Sequence, residues 1–181
     1  MRKQAFHIAP MLLLLLLSQP YQALAGEKPL DGYKSLVVER FDSSVKGAIG
    51  LPDAVRSACV QAIKEDGLFS EVTTAEEEAA KAGATEAGKA GLLRLSAQLV
   101  DFEPGNAAKR LMVGFGSGRA HAGFEFTLRD PATNQIVWQK RLKQTASFWF
   151  NGTTSSAAER GELPEALAKK LVEELKKQMK K

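Results

Sequence analysis

Cysteine and histidine are scarce in this sequence of 181 residues, which contains one cysteine and two histidines. A single cysteine forms no disulfide within the chain, so the fold has to be stabilised by its hydrophobic core. A zinc site with several nitrogen or sulfur ligands is also excluded, because His121 is the one histidine outside the first 25 residues. Ser-His-Asp catalysis would have to use that same histidine. Cys59 lies at helical spacing between Val55 and Ile63, and we predict that its thiol is buried.

Long apolar runs are absent after residue 26, and the run near the N terminus is short. Two basic residues precede an apolar stretch at 11–17, and an Ala-x-Ala pattern ends at Ala25, which is typical of a secretory signal peptide. The stretch is well short of the roughly 20 apolar residues of a membrane-spanning helix, so we predict cleavage near Ala25. No cysteine lies near that cut, so no lipid anchor is expected. The mature product, residues 26–181, is predicted to be one periplasmic or secreted domain without a transmembrane span.

The chain also lacks a large excess of positive or negative charge. Lys and Arg number 25 against 21 Asp and Glu, a formal net charge of +4 that falls to +2 when the two basic residues of the leader are removed. Nucleic-acid-binding domains carry a larger basic excess, so no nucleic-acid partner is predicted. Hydrophobic residues make up 44% of the chain and charged residues 25%, which is typical of an ordinary globular domain.

Hydrophobic periodicity predicts the secondary structure. Residues 93–99 alternate apolar and polar side chains as in a half-buried strand, whereas residues 164–181 carry an apolar stripe at helical spacing. The first predicted elements are a strand at 33–41 and a helix that runs from Pro52 to a cap at Gly67. A flexible surface excursion follows at 70–91, and it opens with a short strand and a Thr74–Glu77 capping box. The remaining predicted elements are a strand at 91–105, a hairpin that turns at Pro131 and Asn134, and a C-terminal helix. We therefore predict an α+β two-layer sandwich, in which one mixed, mostly antiparallel sheet carries two main helices on one face.

Three alternating glycines, Gly114, Gly116 and Gly118, raise the question of a nucleotide site. A dinucleotide loop needs G-x-G-x-x-G opening into a helix, but a strand pattern follows here, and the Gly-Lys-Ser/Thr ending of a phosphate-binding loop is missing. We therefore predict no nucleotide cofactor. Two interpretations stay open: the glycines shape the main chain where it enters the strand, or they form a binding loop for an anion with the flanking Lys109, Arg110 and Arg119.

The stretch "FEPGNAAKRLMVGFGSGRAHAGFEFTLRDPATNQIV" resembles the core of DUF4410, a family of exported bacterial proteins of uncharacterised role. The positions that match the pattern of that family are Arg110, Gly114, Gly116, Gly118 and Asp130. Asn134 stands where the pattern prefers glycine, and asparagine tolerates the same left-handed conformation. The resemblance implies an envelope protein. Many members resemble outer-membrane lipoproteins, and this chain departs from them because it lacks the lipidated cysteine.

An aromatic group, Phe148, Trp149 and Phe150, precedes an Asn-Gly turn. Alternation along a strand would bury the two phenylalanines and point Trp149 outward. The group either ends a core-covering strand or presents Trp149 as an aromatic platform for a glycan or a protein partner.

Two carboxylates, Asp101 and Glu103, lie two residues apart on a predicted strand and therefore share a face. With Glu125 and His121 in one deep cleft they would favour a carboxylate-dependent hydrolase acting on an envelope glycan. A flat sheet face would favour a binding protein instead.

Our leading hypothesis is an exported, non-enzymatic binding or scaffold protein of the cell envelope, and the hydrolase is the alternative. Its expected partner is an envelope protein or a cell-surface component, and no cofactor or metal is predicted. The candidate binding residues are Arg110, Gly114, Gly116, Gly118, Arg119 and Trp149.

Overall fold

The computed structural model describes residues 30–81, 90–104, 119–146 and 156–180. Within this part of the chain, five strands form one sheet in the order β2-β1-β3-β4-β5. The strands are β1 (Ser35–Ser43), β2 (Glu71–Thr74), β3 (Leu92–Glu103), β4 (His121–Asp130) and β5 (Gln135–Thr145).

The sheet is mixed. Strand β1 runs parallel to both of its neighbours, β2 and β3, whereas β3, β4 and β5 are antiparallel and form the longer pairings. Parallel strands need a crossover connection, and the helix between β1 and β2 supplies one of these. The predicted α+β class with a mixed sheet is confirmed.

Three helices accompany the sheet among the described residues: α1 (Leu51–Asp66), α2 (Ala75–Lys81) and α3 (Ser156–Met179). Helix α1 begins after Gly50, has Pro52 in its first turn and ends at Gly67, whose φ of 67° is the left-handed cap that the sequence predicts. The predicted start of helix α3 was Pro164, but the helix begins at Ser156 and Pro164 lies inside it. A proline inside a helix removes one backbone hydrogen bond, and this helix continues past that position. No helix in the described ranges is long and apolar enough to span a membrane.

The predicted capping box at the start of α2 is present. The Thr74 amide donates to the Glu77 carboxylate at 2.9 Å, and the Glu77 amide donates to the Thr74 hydroxyl at 3.2 Å. These reciprocal bonds satisfy two amide groups that a helix start leaves without partners. The short strand predicted just before the box is β2, and residues 82–89 of the predicted excursion lie outside the described residues.

The core lies between the sheet and one layer made by α1 and α3. Phe41, Phe124 and Phe126 contact one another at ring-centroid distances of 5.9 to 6.4 Å and belong to one buried cluster with the inner faces of both helices. Cys59 is fully buried on α1, as predicted, and burial raises the pKa of its thiol to about 12. The inner faces of α1 and α3 therefore cover the same side of the sheet, which confirms the predicted two-layer arrangement.

The β4–β5 connection has the predicted turn chemistry. The Asp130 carboxylate accepts hydrogen bonds from the Ala132 and Thr133 amides at 2.8 and 3.3 Å. Asn134 has a φ of 56°, the left-handed conformation that this residue type tolerates. These features place β4 and β5 in the register that builds the site described below.

Candidate functional site

The face of the sheet that points away from α1 and α3 is polar. Cross-strand pairing puts Ser96 beside Thr127 and Gln98 beside Glu125, and these side chains are exposed or half-buried. Their apolar neighbours along β3 and β4 are buried in the core. The alternation predicted for both strands is thus confirmed, and it creates an open surface on β3, β4 and β5.

Four charged or titratable side chains meet at one end of this open face, and we call them the Asp101 cluster: Asp101, His121, Arg141 and Lys143. The Asp101 carboxylate accepts a hydrogen bond from Lys143 Nζ at 2.8 Å and lies 3.2 Å from His121 Nε2. Arg141 Nη2 is 3.6 Å from the same carboxylate. One carboxylate on β3 therefore contacts side chains of both β4 and β5.

Gly123 makes these contacts across three strands possible. In the sheet register it lies between Asp101 on β3 and Lys143 on β5. Because Gly123 has no side chain, Asp101 and the Arg141 guanidinium both lie close to the main chain of β4 at this position. A Cβ at Gly123 would lie 3.1 Å from Asp101 Cβ and 3.7 Å from the Arg141 guanidinium. The requirement at this position is thus space, a common reason for glycine inside a strand.

A register irregularity between Leu99 and Asp101 helps to place the carboxylate. Leu99 pairs with Phe124 in the core layer, and Asp101 then pairs with Gly123 on the open face. An extra residue in one strand bends the strand and redirects its side chains, which is typical of a β-bulge.

The electrostatics of the cluster keep Asp101 ionised. The hydrogen bond from Lys143 is the main cause that lowers the pKa of Asp101, partial burial opposes it, and His121 adds to the lowering. A carboxyl group with a lowered pKa is a poor proton donor near neutral pH. Arg141 and Lys143 are the cationic donors of the cluster, and Glu125 pairs with Arg141 on the same face, so this surface offers charges of both signs to a ligand.

Most of the binding residues proposed from the sequence lie outside the described residues. These are Arg110, Gly114, Gly116, Gly118 and Trp149. Arg119 is described: it lies directly before β4 and is half-buried. Both readings of the glycine stretch therefore remain predictions.

The segments that hold those residues are joined to one end of the sheet. Glu103 ends β3, His121 begins β4 and Thr145 ends β5, and the sheet register places these three side by side. A hydrogen bond of 2.9 Å from the Ala146 amide to the Ala120 carbonyl extends this pairing by one step. The Asp101 cluster lies at the same end, because Asp101, Gly123 and Lys143 form the neighbouring row.

The residues of the hydrolase hypothesis are only partly brought together. Asp101 contacts His121, and Glu103 lies on the same face in the row of His121. The Glu125 carboxylate, however, lies in the row of Arg141 and accepts a hydrogen bond from Gln139 at 2.5 Å. In the described part of the chain, no group of three or more His, Cys, Asp and Glu side chains could hold a metal ion.

Sequence reasoning missed Arg141 and Lys143. The available signal was the alternation of Gln139, Arg141 and Lys143 along β5, which places all three on one face. Their proximity to Asp101 depends on the pairing of β5 with β4, and the sequence pattern alone does not specify it.

The same fold occurs in solved structures of low sequence identity. Protein XCC0632 from Xanthomonas campestris, of family DUF330, gives a TM-score of 0.53 at 13% identity, covering 78% of this chain and 83% of that one. The hypothetical protein CT253 from Chlamydia trachomatis gives 0.51 at 10% identity, covering 81% and 98%. PelC from Paraburkholderia phytofirmans, solved as a dodecamer, gives 0.48 at 13% identity, covering 75% and 86%. The first two likenesses show a shared fold.

A family model accounts for most of the described sheet. No curated protein matches the sequence significantly. The model of DUF4410, a domain of unknown function, matches residues 42–146, from the end of β1 to just beyond β5. This range includes the whole Asp101 cluster and confirms the resemblance carried by the glycine stretch. The chain therefore belongs to the DUF4410 family.

Proposed function

We propose that this protein is an exported, non-enzymatic binding or scaffold protein of the bacterial cell envelope, and that the open face of β3, β4 and β5 is its binding surface. The partner is an envelope protein or a cell-surface component that carries acidic or polar groups. The Asp101 cluster anchors that partner at the end of the sheet where the segments 105–118 and 147–155 begin.

The observation that carries this proposal is the Asp101 cluster itself. Its side chains lie on a sheet face rather than between the two layers, and the exposed fractions of Arg141 and Lys143 are 56% and 50%. Accessible cationic donors arranged on a fixed backbone favour recognition of a complementary surface. The lowered pKa of Asp101 fits a structural anion that positions the cations.

Export is proposed on the leader-like sequence of the first 25 residues. N-terminal sequencing of the protein recovered from osmotic-shock or culture fractions tests it directly. A new N terminus at or near Gly26 is expected, and recovery of the uncleaved chain in the cytoplasm would contradict this part of the proposal.

Site-specific photo-crosslinking tests the binding surface. A photoreactive amino acid at Gln139 lies on the open face, and the same amino acid at Glu173, exposed on α3, is the matched control. In cells that produce the protein, we expect a defined adduct from position 139 and none of that mass from position 173. Adding Arg141→Glu and Lys143→Glu should abolish the adduct at 139, while the far-UV circular dichroism stays unchanged. The same adduct at both positions, or its survival in the double variant, would refute the assignment.

A hydrolase acting on an envelope glycan is the second candidate, favoured by the contact between Asp101 and His121. We rank it second because the lowered pKa of Asp101 does not suit a general acid and because Glu125 is bonded elsewhere. Turnover of a glycan library that is abolished by Asp101→Asn and by Glu103→Gln, in correctly folded variants, would reverse this order.

A further inference from the structure

A groove of about 800 Å³ runs between α1 and α3 on the surface of the helical layer. Small side chains line much of it: Gly50, Ala54, Ser57, Ala58, Ala62 and Ala168. Small residues let another chain approach the helix backbones closely, so the groove is shaped to receive a larger apolar side chain.

One of the residues that line the groove is itself a large apolar side chain. Ile49 is 98% exposed and is the one large hydrophobic side chain so exposed among the described residues. It belongs to the loop before α1, where Gly47 and Gly50 take positive φ values of 85° and 76°. The same surface therefore presents both an apolar projection and an open groove.

Charges of both signs border the groove. Glu65 lies on α1, and Glu165 and Lys169 lie one turn apart on α3. When a two-fold axis relates two copies of α3 in antiparallel orientation and passes midway between residues 165 and 169, these two residues exchange partners across the axis. Glu165 of one copy then faces Lys169 of the other, and the reverse pair forms as well.

We propose that the groove between α1 and α3 is the interface of a symmetric dimer of this chain, with Ile49 of each copy seated in the groove of the other. A second copy is the occupant we favour, because a two-fold interface must be self-complementary and this surface carries both the exposed Ile49 and the Glu165–Lys169 pair. The helical layers face each other, so both open sheet faces point outward. The dimer would be a bivalent form of the binding protein, with stronger attachment to a surface that carries repeated partners.

Charge reversal in the purified, naturally processed protein tests this interface. Sedimentation velocity over roughly 1 to 300 µM should show a monomer–dimer equilibrium for the natural sequence. Lys169→Glu and Glu165→Lys should each weaken self-association by roughly tenfold or more, because like charges then meet across the axis. An equimolar mixture of the two variants should dimerise again, since each copy now supplies the charge that the other lacks. Asp42→Lys and Lys180→Glu, exposed positions away from the groove, are the matched controls.

Recovery in the mixture separates loss of the interface from loss of folding, because two misfolded variants would not restore each other. Ile49→Asp should also give a monomer, and its melting temperature should equal that of the natural protein at concentrations where the natural protein is monomeric too. A natural protein that stays monomeric through the whole concentration range would overturn the proposal. A dimer that persists in both single variants, or a mixture that fails to associate, would overturn it as well.

Discussion

Replacing Asp101 with asparagine removes the charge of the cluster's central carboxylate while keeping the shape of its side chain. The structure sets the magnitude of the effect. The nearest contact, to Lys143, is 2.8 Å, but the two side chains are 29% and 50% exposed, so water screens the pair. Ion pairs of this exposure contribute about 0.2–1 kcal/mol each, and three cationic or polar partners share one carboxylate. We therefore expect Asp101→Asn to lower the free energy of unfolding by about 1 kcal/mol at pH 7, or ~2–4 °C in melting temperature.

The direction of the pKa shift of Asp101 determines how this difference in stability changes with pH. The cluster lowers the pKa of Asp101 below its ordinary value of 3.8 in the folded protein. A group with a lowered folded-state pKa stabilises the fold above its unfolded-state pKa and loses that contribution as the pH falls through the folded-state value. The difference between the natural protein and Asp101→Asn should therefore be constant above about pH 5 and shrink toward zero below pH 3.8.

Urea unfolding at pH 7 and at about pH 2.5 measures this difference. Glu103→Gln, a charge removal at an exposed position two residues along β3, is the control and should change stability by less than 0.5 kcal/mol. An NMR titration of the Asp101 carboxyl carbon should place its midpoint below 3.8. A midpoint above that value, or an asparagine variant as stable as the natural protein at pH 7, would refute the assignment of Asp101 as an ionised partner of cations.

Three further predictions concern the core and the turns. Leu171→Ala should destabilise the protein by about 2–5 kcal/mol in urea unfolding, because Leu171 is fully buried, whereas Glu173→Ala on the exposed side should stay within ~0.5 kcal/mol. Cys59 should not react with a thiol reagent at pH 8 until the protein is unfolded by urea, since burial raises its pKa to about 12; rapid labelling of the native protein would contradict the described core. Asn134→Gly should leave the melting temperature nearly unchanged, whereas Asn134→Ala should cost about 1 kcal/mol because alanine is disfavoured at a φ of 56°.

Local sequence patterns predicted the elements because local physics places them. The Gly67 cap, the Thr74–Glu77 capping box and the left-handed Asn134 each satisfy the backbone within a few residues. The start of α3 was predicted wrongly at Pro164, since a proline inside a helix and one at its first turn look alike in the sequence. Burial of Cys59 followed from its spacing on the apolar stripe of α1.

The candidate site was predicted less well. Asp101 and His121 were identified as chemically interesting, but the sequence grouped Asp101 with Glu103 and Glu125 as carboxylates. The structure joins it to Lys143 instead, more than forty residues away in the chain. Such a contact depends on which strands are neighbours and on the register in which they pair. A one-residue shift in the register of a strand would place each of its side chains on the opposite face of the sheet.

The sequence by itself determined the α+β class, the family and the positions of caps and turns, because each depends on periodicity or on contacts among near neighbours. Only the tertiary structure decided that β1 pairs in parallel on both sides, that Gly123 leaves space for Asp101 and Arg141, and that Ile49 lines a groove between two helices. These features join parts of the chain that are distant in sequence, and the free energy that selects them comes from packing the whole core at once.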